Sequence, residues 1–308
     1  MSVTLDITHE TRYEYSAPVS LAHHLAHLQP LVDEHQELLT FKLQISPKPE
    51  RRHTALDTQG NTACWFSLTQ AHQSLHVTAQ SRVQLSPRFE RLQADASPPW
   101  DDLAARLRYV AKAPFEPALA YAQPSPFVPR LEELRAYAAS SLIPGRPVAL
   151  AAVELMQRVH ADFTYETAST HIDTPLAQAF AQRRGVCQDF AHLMAGALRM
   201  HGLPVRYVSG YLLTDTARSA QSQSQGQSQE LVGADASHAW VQVWCPGTPG
   251  VPADGWLDLD PTNDVVPHER HVRVAVGRDF GDVTPLRGVI RGGGQHTLAV
   301  AVTTRCIE

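Results

Sequence analysis

The first part of this chain alternates apolar and polar residues with a period of two, and that pattern restricts its fold more than any other feature. In "VTLDITHETRYEY", Val3, Leu5 and Ile7 share one side, and Tyr13 and Tyr15 continue it. "LTFKLQISP" sets Leu39, Phe41, Leu43 and Ile45 in the same way, and "NTACWFSLTQ" and "LHVTAQSRVQLSP" repeat it around the turn signal "DTQGN". Successive side chains of a strand point to opposite faces, so each stretch reads as a strand buried on one side. Several short strands punctuated by Pro, Gly and Asn predict a β-sandwich over residues 1–95.

The period then changes. Helical spacing begins at Trp100 and returns in "PRLEELRAYAASSL" and "PVALAAVELMQRVHADF", each opened by a proline that the first turn tolerates. Residues 96–160 predict a helical passage belonging to a second domain, and residues 161–308 its core with C-terminal strands. Within that core, "TPLAQAFAQRRG" reads as a helix ending at Gly185. Phe190, Leu193, Met194, Ala197 and Leu198 mark one buried face of the next. "VRYVSGYLL", "SHAWVQVWC" and "GWLDLD" read as strands. Between the first two of these, "TARSAQSQSQGQSQE" is Gln/Ser-rich and predicts a surface loop.

Composition removes several classes of function. Apolar residues at 43% and charged residues at 19% of 308 describe a globular chain. A net charge of −5 gives no general attraction to nucleic acid, so no nucleic-acid partner is expected. No basic segment followed by an apolar run opens the chain, and no run has the length of a membrane helix, so the expected compartment is the cytoplasm, with no membrane partner. Cys64, Cys187, Cys245 and Cys306 are scattered without a CxxC pair, which predicts neither a disulfide framework nor a zinc site. His23 and His27 of "HHLAH" lie on a strand-like stretch, where i and i+4 are far apart, so no metal is expected there.

One cysteine stands where a thiol could be activated. Cys187, in "RRGVCQDFAHLMAG", opens an apolar helix. A helix N-terminus offers unpaired N–H groups and about half a positive charge. A neighbouring imidazolium further favours a thiolate, and the pair can attack a carbonyl and then protonate the leaving group. A carboxylate would fix the tautomer of such a histidine. His238 in "ASHAWVQVW" and Asp260 in "GWLDLDPTN" are candidates. Spacing alone leaves open the plainer reading of a buried thiol, a strand histidine and a turn aspartate.

The words around these residues, in their order, resemble the transglutaminase-like superfamily, in particular its bacterial branch named as transglutaminase-like cysteine proteases. "GVCQDFAHLMAGALRMHGLPVRYVSGYL", "SHAWVQVW" and "GWLDLDPTN" carry the resemblance. "ITHETRYEYSAPVSLAHHLAHLQP" with "DTQGN" resembles that branch's N-terminal region, and "VGRDFGDVTPLRG" its C-terminal segment. The resemblance implies Cys187 as nucleophile, His238 as base and Asp260 as its orienting carboxylate. It also implies a papain-like core, with a helix bearing the thiol packed on an antiparallel sheet.

Other residues compete for roles. Asp258 and Asp260 share one strand face, and the DPT word favours Asp260, leaving Asp258 as a solvated or turn-supporting carboxylate. Asp189 is expected to satisfy early helix N–H groups or to pair with Arg206, and His192 to be an ordinary interior residue. Trp240 and Trp256 are core residues or walls of an acyl-binding cleft, and Tyr165 is a candidate oxyanion donor. The remaining cysteines occupy apolar positions.

The expectation is therefore an α+β protein, a β-sandwich followed by a papain-like transglutaminase core, that performs thiol-dependent acyl chemistry without cofactor or metal. The expected substrate is a peptide, an isopeptide or a small amide, and the expected reaction hydrolysis through a thioester. Acyl transfer to an amine, and a catalytically inactive binding module on the same scaffold, are the alternatives.

Overall fold

A computed structural model describes residues 2–108, 110–112, 114–167, 169–213 and 237–307. The Gln/Ser-rich loop expected around residues 216–230 lies outside them.

The spine of the N-terminal part is β1 (Val3–Ala26), whose alternation buries Leu5, Ile7, Val19, Ala22 and Ala26. On one side of it run β4 (Thr62–Leu68) and then β5 (His72–Leu85), both antiparallel. β2 (Gln36–Ser46) adds to β5, and β3 (Arg51–Leu56) to β4. The other side of β1 takes two strands from the far end of the chain, β12 (Leu286–Gly292) and β13 (His296–Ile307). All seven strands form one hydrogen-bonded sheet. The N-terminal part is thus a large antiparallel sheet whose strands are joined through β1. The last strands of the chain, β12 and β13, complete this sheet. Alternation identifies a strand but does not say which neighbour completes its ladder.

Helices cover the passage between the two sheets: α1 (Trp100–Arg106), α2 (Glu132–Ala138) and α3 (Val148–Asp162). Two-residue strands β6 (Thr164–Tyr165) and β7 (Arg184–Gly185) pair in parallel on either side of α4 (Leu176–Gln182). α5 (Cys187–Arg199) follows. The second sheet is antiparallel, in the order β10 (Trp256–Leu259), β9 (His238–Trp244), β8 (Val205–Leu212), β11 (His271–Gly277). A short helix, α6 (Phe280–Val283), leads to β12.

α5 is the centre of the main core. Phe190, Leu193, Met194, Ala197 and Leu198 pack with Val205 and Tyr207 of β8, Val241 and Val243 of β9, and Leu257 and Leu259 of β10. Each fully buried aliphatic side chain contributes about 1.5–3 kcal/mol, so the helix that carries Cys187 is among the most firmly held elements. Gly196 lets α2 come close: a Cβ there would lie 2.7 Å from Leu134 Cδ1. The two sheets also share a core, in which Leu5, Ile7, Val83 and Leu85 pack on Tyr211, Leu213, Val272 and Val274. No helix among the described residues is long and apolar enough to cross a membrane.

Candidate active site

Cys187 is the first residue of α5 and is half-buried. The parallel pair β6–β7 delivers the chain to this point, and Glu166 N donates to Gly185 O at 3.0 Å. Asp189, two residues into the helix, turns back: its Oδ2 accepts from Val186 N at 2.9 Å and from the Thr170 hydroxyl at 2.6 Å. Burial raises the Asp189 pKa, and those two hydrogen bonds oppose the shift. Asp189 thus satisfies a backbone N–H at the helix start, and a Cβ at Gly185 would strike its carboxylate at 2.6 Å. It does not pair with Arg206, whose guanidinium stacks 3.9 Å over Trp256 and 4.8 Å over Tyr121.

His238 opens β9 and is fully buried, with its Nε2 donating to Asp260 Oδ2 at 2.8 Å. Its Nδ1 has no hydrogen-bond partner among the described residues. Burial alone would lower the His238 pKa. The Asp260 carboxylate outweighs burial and, with a further contribution from the neighbouring Cys187, raises the ring to about 10. The ring therefore sits between the thiol and the carboxylate, with one nitrogen committed to Asp260.

Asp260 follows β10 and is fully buried. Burial would raise its pKa, but His238 and His271 hold it well below the usual carboxylate range. Five donors surround it. Oδ1 accepts from Thr262 N at 3.0 Å and Asn263 N at 3.3 Å, and Oδ2 accepts from His238, from Asn263 Nδ2 at 2.8 Å and from His271 Nε2 at 3.0 Å. The sequence reading missed Asn263 and His271. Asn263 could have been suspected from the "DPTN" turn, whereas nothing in the sequence links His271, on another strand, to the same oxygen.

His238, Asp260 and His271 bring three potential metal ligands together. Two ligands of a tetrahedral ion at bond lengths near 2.0 Å lie about 3.3 Å apart. Separations of 2.8 and 3.0 Å to one carboxylate oxygen match shared protons. His23 is exposed and bonded to Ser67, and His27 is buried beside Thr284 and Asp57, so "HHLAH" forms no shared site.

Both tryptophans are core residues. Trp240 is fully buried, stacked on His238 at 6.0 Å and set edge-on to His271 at 5.2 Å. It covers the polar cluster. Gly210, paired with His238 across the ladder, makes room for it: a Cβ there would lie 2.4 Å from the indole. Trp256 is buried against Ala118, Tyr121 and Arg206. Tyr165 is half-buried on β6, beside the strand that leads into Cys187. A further phenol, Tyr207 of β8, lies near the thiol. Burial, with the charges of Cys187 and Asp189, holds its pKa well above the ordinary value.

Asp258 is not solvated. It is buried and accepts from Arg273 Nε at 3.0 Å. Arg273 also reaches Asp33, which is held in turn by Arg88. His192 is buried between Phe127 and Tyr207 and accepts from Phe280 N at 3.1 Å. Burial lowers its pKa to about 3, so it is a neutral structural ring. Cys64 and Cys245 are buried and Cys306 half-buried.

Comparisons with known proteins agree with this architecture. Residues 5–84 match the family "Bacterial transglutaminase-like N-terminal region", and residues 136–261 match the "Transglutaminase-like superfamily". Uncharacterized protein Rv2569c of Mycobacterium tuberculosis is 37% identical over 294 residues, which cover 95% of this chain and 89% of that protein. ML0607 of Mycobacterium leprae is 31% identical over 302 residues, 96% of each chain. The chain belongs to the transglutaminase-like superfamily and carries the N-terminal region of its bacterial members. A protein-glutamine gamma-glutamyltransferase of Pseudomonas aeruginosa is 34% identical over 124 residues, 40% of this chain and 17% of that protein. A crystal structure named "Putative Cysteine Protease", from Cytophaga hutchinsonii, superposes with a TM-score of 0.71 over 100% of this chain and 92% of that one, at 18% identity. That likeness is one of fold.

Proposed function

We propose that Cys187, His238 and Asp260 form a catalytic triad that hydrolyses a peptide or amide bond through a thioester, on a core with the papain-like layout of a thiol-bearing helix against an antiparallel sheet. One observation carries the proposal: a buried imidazole bonded through Nε2 to a carboxylate, with Cys187 at a helix start acting on the same ring and no other partner for Nδ1 among the described residues. His238, whose charged form the Asp260 carboxylate favours, takes the thiol proton as the sulfur attacks the carbonyl carbon. The S–C bond forms, and helix-start N–H groups receive the developing oxyanion. The C–N bond then breaks as His238 gives its proton to the leaving amine. Water enters, His238 takes a proton from it, the O–C bond forms, and the thiolate departs with the acid released.

Transfer to an amine is the second reading, favoured by the likeness of the core to a gamma-glutamyltransferase. Water is present at about 55 M, so an amine competes only where a site concentrates and orients it. The test measures free acid against amide product as a primary amine is added during turnover of an amide substrate. Acid as the main product at millimolar amine supports hydrolysis, whereas amide as the main product replaces it with transfer. Equal turnover by Cys187→Ala removes both, because the reaction would then not pass through the thiol.

A further inference from the structure

The second histidine on Asp260 has no part in that mechanism, and the way it is held implies one. His271 donates from Nε2 to the same oxygen, Oδ2, that anchors His238. It belongs to β11, which among the described residues pairs with a strand on one edge, β8. On the other edge two buried side-chain amides of the N-terminal part, with the Leu31 N–H that donates to Arg273 O at 3.0 Å, stand in for a neighbouring strand. Gln36 accepts from Arg273 N at 2.9 Å and donates to Arg273 O at 2.8 Å. Asn61 accepts from Val276 N at 2.7 Å and donates to Val276 O at 2.8 Å. These clamps bracket the irregularity in β11 between Arg273 and Ala275. The Arg273 side chain, bonded to Asp258 and Asp33, fixes the same segment.

We propose that His271 is a positioning residue that shares the charge of Asp260 and so limits how tightly His238 holds its proton, and that the N-terminal sheet keeps it in place through Gln36 and Asn61. The idea rests on the triad reading above. A neutral donor on a carboxylate oxygen spreads part of its charge. With His271 in place, less of that charge is left for the His238 imidazolium, which becomes a better acid toward a leaving amine. Burial keeps His271 itself below its ordinary pKa, although Asp260 and Asp258 pull the other way and His238 adds to the lowering. Its Nδ1 has no partner among the described residues, consistent with the proton residing on Nε2.

The experiment follows iodoacetamide alkylation of Cys187 against pH in the full-length wild type and in His271→Leu, His271→Gln and Gln36→Leu. The upper step of this profile, where His238 loses its proton, is the readout. In His271→Leu it moves upward by roughly one pH unit. In His271→Gln, whose amide can donate from nearly the same place, it stays near the wild-type position. In Gln36→Leu it moves upward as in His271→Leu, by less. An unmoved upper step in His271→Leu overturns the proposal, as does an equal shift in the Leu and Gln variants. Should His271→Leu not fold, nitrogen-15 spectra of the wild type decide: a His271 protonated on Nδ1 rather than Nε2 refutes the sharing. A wild-type Cys187 that resists alkylation strikes at the proposed function, and the spectra still test His271 separately.

Discussion

Replacing Asp260 by Asn removes one charge and almost no volume, and its effect can be worked from the site. In the native protein Oδ2 receives three N–H groups, from His238, His271 and Asn263. An amide nitrogen in that place would point donors at donors. His238 would lose the charge that raises it from 6.5 to about 10, and burial would then push it below its ordinary value. At roughly 1.4 kcal/mol per unit, the loss is on the order of 3–5 kcal/mol, the range seen when one partner of a buried pair is removed. The pH dependence follows from the signs. A raised histidine contributes its full stabilisation below about 6.5, and loses it as pH rises through about 10. A depressed aspartate contributes above its unfolded pKa of about 3.8 and loses that share as pH falls toward its folded value. The cost of Asp260→Asn is therefore greatest near pH 5–6 and shrinks toward pH 10. Urea denaturation of both proteins at three pH values between these limits measures it. A stability difference that stays constant, or grows, on going to alkaline pH refutes the charge assignment.

Three further outcomes are expected. Brief iodoacetamide treatment at about pH 6 labels Cys187 ahead of Cys64, Cys245 and Cys306, as read by mass-spectrometric mapping; equal labelling of all four contradicts an activated thiol. Arg273→Met strands the buried Asp258 carboxylate and weakens the hold on β11, so thermal denaturation shows a loss of about 3–5 kcal/mol. Cleavage of an amide substrate and the melting temperature are unchanged in EDTA; a loss restored by zinc would show that the His238–Asp260–His271 cluster takes an ion after all.

The strands and helices were legible because each repeats a short period over many residues. β1 and β5 show period two, and α5 shows helical spacing along its core face. What sequence did not reveal was partnership. Residues 286–307 read as strands but gave no sign that they would close on β1, at the other end of the chain. The same gap explains the site. Cys187, His238 and Asp260 were marked by their local words, which fix what kind of residue stands at a helix start or strand end. His271 and Gln36 carry no such word; their importance comes from contacts between elements far apart in sequence. Asp258 was misjudged for a related reason. A carboxylate beside a turn usually faces water, and only the arrival of Arg273 from β11 makes its burial tolerable. Trp240 and Trp256 could be placed near the chemistry, but periodicity does not distinguish a ring that covers a histidine from one that lines a cleft.

These contacts bear on what the N-terminal sheet contributes. A bundle of α5 and the β8–β11 sheet would leave β11 as an open edge, with the backbone groups of Arg273 and Val276 unpaired. Each such group, if buried without a partner, costs about 1–3 kcal/mol. Gln36, Asn61 and the Leu31 N–H satisfy them from the N-terminal part, and the shared core of Leu5, Ile7, Val83 and Leu85 with Val272 and Val274 shields those bonds from water. The ion-pair chain Arg88–Asp33–Arg273–Asp258 crosses the same boundary, and loss of either end link strands a buried group, the Arg88 guanidinium or the Asp258 carboxylate. β12 and β13 then return the end of the chain to β1. β11 thus joins the N-terminal sheet to the Asp260 cluster: held by Gln36 and Asn61 along one edge, it carries the His271 that donates to Asp260.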